Sequence, residues 1–460
     1  MALSTADVIA TARKLLAMRD LESQRLTVIQ DYLRDDPNKR DIGGLPTGAP
    51  ADVIRLARLA RVNLLKYVVS ARVQNMYVDG FRTPTSPDDL DVWAVWQANK
   101  MDARQIGIHR AALSFGASYA TALPGTRGGE PMPVLRGYSP RQLTAAYGDD
   151  DEWPEFALIK LADGKYRLLD ETSVYEITLE GDKPDGAMTV VPSTHGVTWQ
   201  GEPVTPVVRY RETDDLDDPC RGIVEPFFPL QDQVNITTFG LQVAQHYGAF
   251  RQRYVIGWLA ETETQALRAS AARLLNFEDS DITVGEFQQT ELRGYIESRE
   301  ATIRHLATVS QTPVHELLGQ FVNLSAEALE AARASHAAGV EENRIVAGES
   351  HEQLLNLAAE MIGADPDAAA SVVWRDTRVR SLKEAAEALG ALVEKLGVPP
   401  RELWHLIPGI PQHEVERWTV AASQADSMEQ LTQLLDRQAG PSAPPVGAAP
   451  PAPAPVPVAA

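Results

Sequence analysis

One segment, residues 224–250, limits the folds open to this chain more than any other. With histidine counted as neutral, its only charged side chains are Glu225 and Asp232. A helix formed by this segment would be apolar around too much of its circumference to stand free in water. The apolar side chains concerned are Phe227, Phe228, Leu230, Val234, Ile236, Phe239, Leu241, Val243 and Phe250. The segment is therefore either buried in the core of one chain or packed between neighbouring copies, and the sequence leaves both alternatives open.

The spacing of apolar residues changes before this segment. The N-terminal part has helical spacing, with one helix predicted from Ser4 or Thr5 towards Tyr32 and another over Leu90–Tyr119. From about residue 131 to residue 212, short runs of β-branched and aromatic residues alternate with turn residues, and Asp163-Gly164 is a hairpin signal. The sequence therefore predicts a helical N-terminal part followed by a small antiparallel β region.

Helical spacing returns beyond residue 250, with breaks where Pro, Gly and Asn accumulate. The last 20 residues contain eight Pro, seven Ala and no charge, so a flexible tail is expected there. The predicted segments are a short helix near 264–274, an extended stretch at 282–287, a helix at 291–310, a break at 312–325, the longest helix from 325 to about 361, and two helices near 381–396 and 411–437.

The chain is acidic, and its acidity is unevenly distributed. It has 43 Lys and Arg against 63 Asp and Glu, a net charge of −20 and a pI near 4.9. Residues 146–220 carry a net charge of −12 and residues 290–460 a net charge of −10. Proteins that grip nucleic acid rely on Lys and Arg at phosphates, so this balance argues against that class. It is compatible with a protein that lets DNA pass without holding it, and equally with ordinary solvated acidic faces.

No motif for catalysis or for a cofactor stands in the sequence. Cys220 is the only cysteine, which excludes an internal disulfide and a cysteine-based zinc site. His315-Glu316 begins like a zinc-protease helix, but Gly319 occupies the position of the second histidine ligand. There is no Walker A or dinucleotide-binding glycine pattern. We therefore predict a protein that is not an enzyme and has no metal or cofactor; without a signal peptide or a long apolar run, it is expected in the cytoplasm when made.

The order of these segments resembles that of the portal proteins of long-tailed double-stranded DNA phages, especially those of actinobacterial hosts. Asn63–Val69, leading to Asp79–Arg82, is similar to an early helix and turn of that family. Ala112–Tyr119 resembles its helix of small, apolar and aromatic residues around a glycine. Gly319–Leu329 resembles the loop and helix start that follow its second stem helix. The resemblance covers roughly residues 1–435 and excludes the Pro/Ala tail.

The resemblance implies an α+β, mainly α, portal-type fold. Such a fold has a helical wing that carries a small antiparallel β region, long stem helices, a small mixed clip and a helical C-terminal crown. The segments implied are a wing at 1–220 with its β region at about 131–212, a first stem helix at 224–250, a clip at 251–289, a second stem helix at 290–311, a tunnel loop at 312–325, a long helix returning to the wing at 326–375, a crown at 376–437 and a disordered tail at 438–460.

The function implied by the resemblance is a ring, commonly of twelve subunits, at one capsid vertex, through which genomic DNA is packaged and ejected. A separate terminase ATPase would pump the DNA, which agrees with the missing P-loop. The partners implied are the terminase, head-completion or adaptor proteins at the clip, major capsid and scaffolding proteins at the wing, and double-stranded DNA as non-specific cargo. The protein would belong to the virion, after assembly in the host cytoplasm and without a membrane partner.

Residues that face the DNA are expected in two places. The tunnel loop would present Gly319, Gln320, Phe321, Val322, Asn323, Leu324 and Ser325 to the channel. An acidic channel lining would consist of Glu327, Glu330, Glu341 and Glu342, although these residues can equally form a solvated face. Two alternatives to a portal remain open at this point: a minor capsid or adaptor protein without a channel, and an enzyme with an unrecognised site.

Overall fold

The structure is a computed structural model of the 460-residue chain. The chain forms two compact units, residues 1–375 and residues 376–460. The residues that the structure describes are 3–34, 48–82, 90–149, 152–180, 186–216, 220–248, 253–256, 283–286, 291–319, 326–364, 366–375, 382–407, 410, 414–415 and 417–424.

Helices make up most of the described part of the first unit. The first helix begins where the hydroxyl of Ser4 accepts a hydrogen bond from the backbone N–H of Asp7 at 3.3 Å, the usual way to satisfy a free amide at a helix start. The helices are α1 (Thr5–Leu33), α2 (Ala51–Leu59), α3 (Leu64–Val73), α4 (Leu90–Ala98), α5 (Met101–Phe115), α6 (Phe228–Gly248), α7 (Arg293–Val309), α8 (Val314–Leu318) and α9 (Ala326–Ile362), with a 3-10 turn at Glu225–Phe227 before α6.

The strands of the first unit form small antiparallel sheets. They are β1 (Val78–Arg82), β2 (Ala117–Leu123), β3 (Thr126–Arg127), β4 (Glu130–Pro131), β5 (Val134–Tyr138), β6 (Leu143–Ala146), β7 (Phe156–Ala162), β8 (Lys165–Leu169), β9 (Ser173–Leu179), β10 (Met188–Thr194), β11 (Thr198–Trp199), β12 (Glu202–Pro203), β13 (Val207–Arg211), β14 (Arg253–Ile256), β15 (Thr283–Glu286) and β16 (Ser371–Trp374). The largest sheet has the order β10-β9-β8-β7-β6, and a second has the order β13-β2-β5.

The five-stranded sheet is a meander that α1 covers on one face. The predicted hairpin at Asp163-Gly164 is confirmed, since β7 and β8 pair there and Gly164 has φ +70°, the left-handed conformation that this turn requires. Apolar residues of α1, including Leu15, pack against Leu168 and Tyr175 of the sheet. Alternating burial along β9 matches a sheet with one covered face.

The helix predicted over Leu90–Tyr119 is wrong in two respects. It is two helices, α4 and α5, because Lys100 adopts a left-handed conformation with φ 55° and interrupts the first. The second ends at Gly116, whose φ of +92° terminates it, and the chain continues as β2. The β region therefore begins at Ala117, ahead of the predicted residue 131, and Asp79–Arg82, expected as a turn, lies in β1.

The main hydrophobic core joins distant parts of the first unit. It contains Phe81 of β1, Trp96 of α4 and Leu354 of α9, all fully buried. Strand β16, which follows α9, pairs antiparallel with β1 in the register Phe81↔Val372. The chain after the long helix therefore returns to the N-terminal region and completes its core.

The second unit is helical in its described residues. It contains α10 (Leu382–Leu396), a 3-10 helix (Pro400–Leu406) and helical residues at 414–415 and 417–424. Trp404 and Trp418 pack edge to face with ring centroids 6.1 Å apart. The helix predicted near 264–274 and the tail predicted at 438–460 lie outside the described residues.

The predicted mainly α, α+β class is confirmed by this arrangement of helices and small antiparallel sheets. Among the helices that the structure describes, we find none with the length and apolar character needed to cross a membrane.

Candidate functional site

The start of α6 is held by an ion pair with α1. Arg25 donates to both carboxylate oxygens of Glu225, from Nε at 3.0 Å and from Nη2 at 2.6 Å, and also to the carbonyl of Phe115 at 3.2 Å. Glu225 accepts a further bond from the backbone N–H of Gly222 at 2.8 Å. These bidentate contacts fix the direction in which α6 leaves the N-terminal region.

Polar residues in the first turns of α6 continue this attachment. Gln231, which is buried, donates to the carbonyl of Val62 at 2.6 Å, and Asn235 accepts from the N–H of Val62 at 3.1 Å. The hydroxyl of Tyr32 donates to Asp232 at 2.7 Å. Both ionised residues of the low-charge segment, Glu225 and Asp232, therefore attach α6 to the rest of its own chain.

Beyond these turns, one chain covers α6 only in part. Val234 is fully buried, but Ile236 is 52% exposed and residues 237–244 are partly exposed. Helix α7 packs along α6 so closely that a Cβ on Gly240 would lie 3.0 Å from the ring of Tyr295. On α7, Ile296 is also exposed. Burial within one chain therefore holds for the first turns of the segment, and packing between neighbouring copies stays a prediction for the partly exposed turns that follow.

Helix α8 lies within the segment 312–325 that was predicted as a break and tunnel loop, so the first part of this segment is helical, and Glu316 ties it to α3 and α9. Tyr67 donates its hydroxyl proton to Glu316 Oε2 at 2.8 Å, and Arg333 of α9 donates to Oε1 at 3.1 Å. Burial, with the hydrogen bond to Glu316, raises the pKa of Tyr67 to about 12. Helix α8 ends at Gly319, which has φ +65°. Residues 320–325 of the predicted loop lie outside the described residues, so their place at the channel stays a prediction.

The turn between α7 and α8 contacts a second basic residue, Arg72 of α3. Arg72 Nη1 donates to Asn343 Oδ1 at 2.9 Å, and Nη2 donates to Gln311 Oε1 at 3.3 Å. Asn343 in turn donates to the carbonyl of Glu212, at the end of β13, at 2.9 Å. Burial lowers the pKa of Arg72, and the nearby carboxylates of Glu212 and Glu342 raise it. Burial raises the pKa of Glu212 to about 7.

The acidic residues of α9 divide into two groups. Glu330, Glu341 and Glu342 are exposed, and Glu341 has a contact of 3.6 Å with Arg344 of the same helix. Further along, Glu352 accepts from the N–H of Val372 at 3.0 Å, so this carboxylate is used within the fold. The backbone of Glu327 lies in α9, and its side chain is outside the described part of the structure. A role of these residues as a channel lining stays a prediction.

Glu360, near the end of α9, holds a tight turn between β11 and β12. It accepts from the hydroxyl of Thr198 at 2.5 Å and from the backbone N–H groups of Gln200 at 2.8 Å and Gly201 at 3.3 Å. Both turn residues have positive φ, 53° and 84°. Consecutive N–H groups in such a turn converge on an anion, and the carboxylate supplies it.

A buried chain of hydrogen bonds, which the sequence analysis did not find, joins β13, α9 and α5. The Nδ1 of His109 lies 3.1 Å from the carbonyl of Met76, the Nε2 atoms of His109 and His351 are 2.7 Å apart, and Nδ1 of His351 lies 3.0 Å from the hydroxyl of Tyr210. Because a carbonyl only accepts, His109 Nδ1 donates to it, His351 Nε2 donates to His109, and Tyr210 donates to His351. Both histidines are neutral in this order, and burial lowers the pKa of each, that of His109 to about 4.

The described residues contain no group of three or more His, Cys, Asp or Glu side chains placed to hold a metal ion. His315, singled out by its sequence context, is buried next to Glu316 at 3.7 Å. The arrangement of α6, α7, α8 and α9 is one of packing, ion pairs and neutral hydrogen bonds.

Comparisons with known proteins point in one direction. The model of a family described as phage portal protein, SPP1 Gp6-like, matches residues 13–428. The portal protein of Mycobacterium phage D29 is 25% identical over 396 residues, covering 81% of this chain and 81% of the relative. The portal protein of Mycobacterium phage L5 is 25% identical over 387 residues, covering 78% and 79%.

Two solved structures are similar at lower identity. A chain from the virion of a native gene transfer agent particle has a TM-score of 0.48 and 15% identity, covering 79% of this chain and 96% of that chain. A chain from the neck of the native particle, computed with C12 symmetry, has a TM-score of 0.46 and 14% identity, covering 77% and 92%. The family match spans most of the sequence. This chain therefore belongs to the phage portal protein family, SPP1 Gp6-like, as the order of its segments predicted.

Proposed function

We propose that this chain assembles into a closed ring, commonly of twelve copies, at one capsid vertex, and that double-stranded DNA is packaged and ejected through the ring. The portal family is structural rather than enzymatic. We extend this to the chain itself, as a conduit without catalytic activity that relies on a separate terminase ATPase. Its proposed place is the virion, after assembly in the host cytoplasm.

The observation that carries the ring is that one chain leaves apolar side chains of the paired helices α6 and α7 exposed. Ile236 and Ile296 are both exposed on these paired helices. Burying one such side chain completely contributes roughly 1.5–3 kcal/mol. In a closed ring each chain presents two different faces to its neighbours, so this stabilisation is repeated at every interface.

The segments are assigned from the membership of the chain in the portal family. We propose the wing at 1–220, the stem helices at 224–250 and 290–311, and the clip at 251–289, of which the structure describes the β14–β15 ladder. The tunnel loop at 312–325, the long helix at 326–375 and the crown at 376–437 follow. The clip would bind the head-completion or adaptor proteins, the wing would bind capsid and scaffolding proteins, and the ring would be the docking site of the terminase.

The charge of the chain supports the passage of DNA. The chain has a net charge of −20, and Glu330, Glu341 and Glu342 are exposed on α9. Multiplied by the copies in a ring, such a face repels phosphate and prevents DNA from adhering. We propose that these glutamates, with Glu327, line the channel.

The mass of the purified protein, with negative-stain images, tests the ring. Wild-type chains are expected to form rings, and Ile236→Glu is expected to shift them towards monomers, because the new carboxylate would be buried at the interface. Val191→Glu is the matched control, since Val191 is 60% exposed on the edge strand β10. A wild-type protein that stays monomeric or dimeric under all conditions contradicts the proposal and favours an adaptor without a channel.

Deletion of 320–324 tests the loop. The deletion is expected to leave ring assembly intact and to impair packaging or DNA retention, because α8 and α9 are attached to their neighbours independently of the loop. Heads filled normally by the deletion variant contradict this assignment.

A further inference from the structure

The turn that leads into the predicted tunnel loop is held in an unfavourable backbone conformation. Gln311, between α7 and α8, has φ 53°. A residue with a Cβ is disfavoured in this left-handed region, and it persists there only when its surroundings hold it. The surroundings of Gln311 are therefore informative about what positions α8.

Two side chains hold Gln311 from opposite sides. Arg72 of α3 donates from Nη2 to its side-chain Oε1 at 3.3 Å and to the carbonyl of Ser310 at 3.4 Å. His336 of α9 donates from Nδ1 to the backbone carbonyl of Gln311 at 3.1 Å. The turn is thus attached to α3 through the charged guanidinium of Arg72 and to α9 through His336.

Helix α9 leaves space for this contact. A Cβ on Gly339, in the middle of α9, would lie 2.6 Å from Oε1 of Gln311 and 3.3 Å from Nη2 of Arg72. Glycine within a helix is otherwise unfavourable relative to alanine. A larger residue at this position would therefore displace the ends of the Gln311 and Arg72 side chains from the contact.

The other end of Arg72 connects the turn to the β region. Its Nη1 donates to Asn343 of α9, which donates to the carbonyl of Glu212 after β13. The fork of a guanidinium can reach Asn343 and Gln311 at once, whereas the single ammonium of a lysine cannot.

We propose that Arg72 is a positioning residue for DNA retention by this portal: it holds the α7–α8 turn against α9 and thereby sets where α8 presents the tunnel loop. The inference rests on the proposed function, and it adds a residue far from the loop in sequence. Loss of the contact would let Gln311 relax to a right-handed conformation and release α8 while the ring persists.

The test compares Arg72→Met with Arg72→Lys, Gly339→Ala and the control Arg375→Met. Arg375 pairs with Asp79 at 2.7 Å between β16 and β1, so its loss changes the charge equally without touching the turn. Hydrogen exchange is measured at the amides of Thr312, Glu316 and Leu317, which bond to the carbonyls of Ala307 and Pro313. Ring formation and the length of DNA retained in heads are measured in parallel.

The expected result is at least about tenfold faster exchange at these amides in Arg72→Met, with rings formed and less DNA retained. Arg72→Lys should recover part of both effects, and Arg375→Met should match wild type. Gly339→Ala should reproduce the faster exchange without destabilising α9. If Arg72→Met does not assemble, the lysine and alanine variants decide in its place.

Normal DNA retention in assembled Arg72→Met or Gly339→Ala rings would overturn the inference, as would unchanged exchange at the three amides. Wild-type chains that form no ring would instead overturn the proposed function, and the exchange comparison would then decide by itself whether Arg72 holds the turn.

Discussion

Acidification should weaken the first unit through the buried ring of His109. Its Nδ1 donates to the carbonyl of Met76 and its Nε2 accepts from His351, so the neutral ring uses both nitrogens. A second proton on the His109 ring would sit on Nε2, so that its N–H would face the N–H of His351. Because both histidines are fully buried, water cannot accept either hydrogen bond. Burial accordingly lowers the pKa of His109 to about 4, against an ordinary value of 6.5.

The size and sign of the effect follow from these two values. Between pH 6.5 and pH 4 the unfolded chain binds a proton at this histidine and the folded chain does not. The free energy of unfolding therefore falls as the pH falls through this window, and this group has no effect well above it. The total loss due to His109 is about 3 kcal/mol. Burial also lowers the pKa of His351, which contributes with the same sign.

Urea unfolding between pH 4 and pH 7.5, followed by tryptophan fluorescence, measures this loss in wild type, His109→Gln and His305→Gln. Glutamine offers a donor and an acceptor without titrating, so acidification should cost His109→Gln about 3 kcal/mol less than wild type. His305 is exposed on α7, and its variant should behave as wild type. An equal loss in His109→Gln and wild type would show that the folded ring is not kept neutral, and the reasoning would be wrong.

Three other changes have directions set by the structure. Gly222→Ala should lower the urea midpoint or abolish soluble protein, because its Cβ would lie 1.9 Å from the carbonyl oxygen of Ser114, whereas Gly107→Ala, with open space in α5, should stabilise by up to about 1 kcal/mol; equal midpoints would contradict this. Burial raises the pKa of Glu212 to about 7, so the folded acid keeps a proton that the unfolded one has lost, and the contribution of Glu212 to stability falls as the pH rises from 4.5 to 7, opposite in sign to that of His109. Glu212→Gln should lose less in urea unfolding over that range, and an unchanged loss would refute it. Glu360→Gln should cost about 1–3 kcal/mol and make the β11–β12 turn more sensitive to limited proteolysis; wild-type cleavage rates would argue against the carboxylate's role.

Local signals in the sequence predicted the elements that depend on near neighbours. Asp163-Gly164 marked its hairpin because turn conformation is decided by the turn residues themselves. The low charge of 224–250 indicated a helix that needs cover, and α6 is a helix that its own chain buries in the first turns. Strand β2 was missed because Ala117–Leu123 is rich in small residues, and it becomes a strand only by pairing with β5 and β13, which lie further along the chain.

The side-chain contacts of the site could not be predicted in this way. His109 and His351 are 242 positions apart, and Arg72 and Asn343 are 271 apart, so no spacing rule connects them. The order of the segments did predict the family, because that order is spread over the whole chain and does not depend on any one contact.

The pairing of β1 with β16 has a consequence for how the protein is made. The main core contains the fully buried residues Trp96 and Leu354, which are far apart in the sequence. The pair of strands β1 and β16, which adds to this core, extends to Trp374. A ribosome must therefore synthesise most of the chain before this core can close, and contacts of such long range form slowly. Until then the apolar surfaces around Trp96 lack part of their cover, and such exposed surfaces favour aggregation. Chains that terminate before residue 371 lack the strand that pairs with β1, so they should expose apolar surface that the complete chain buries.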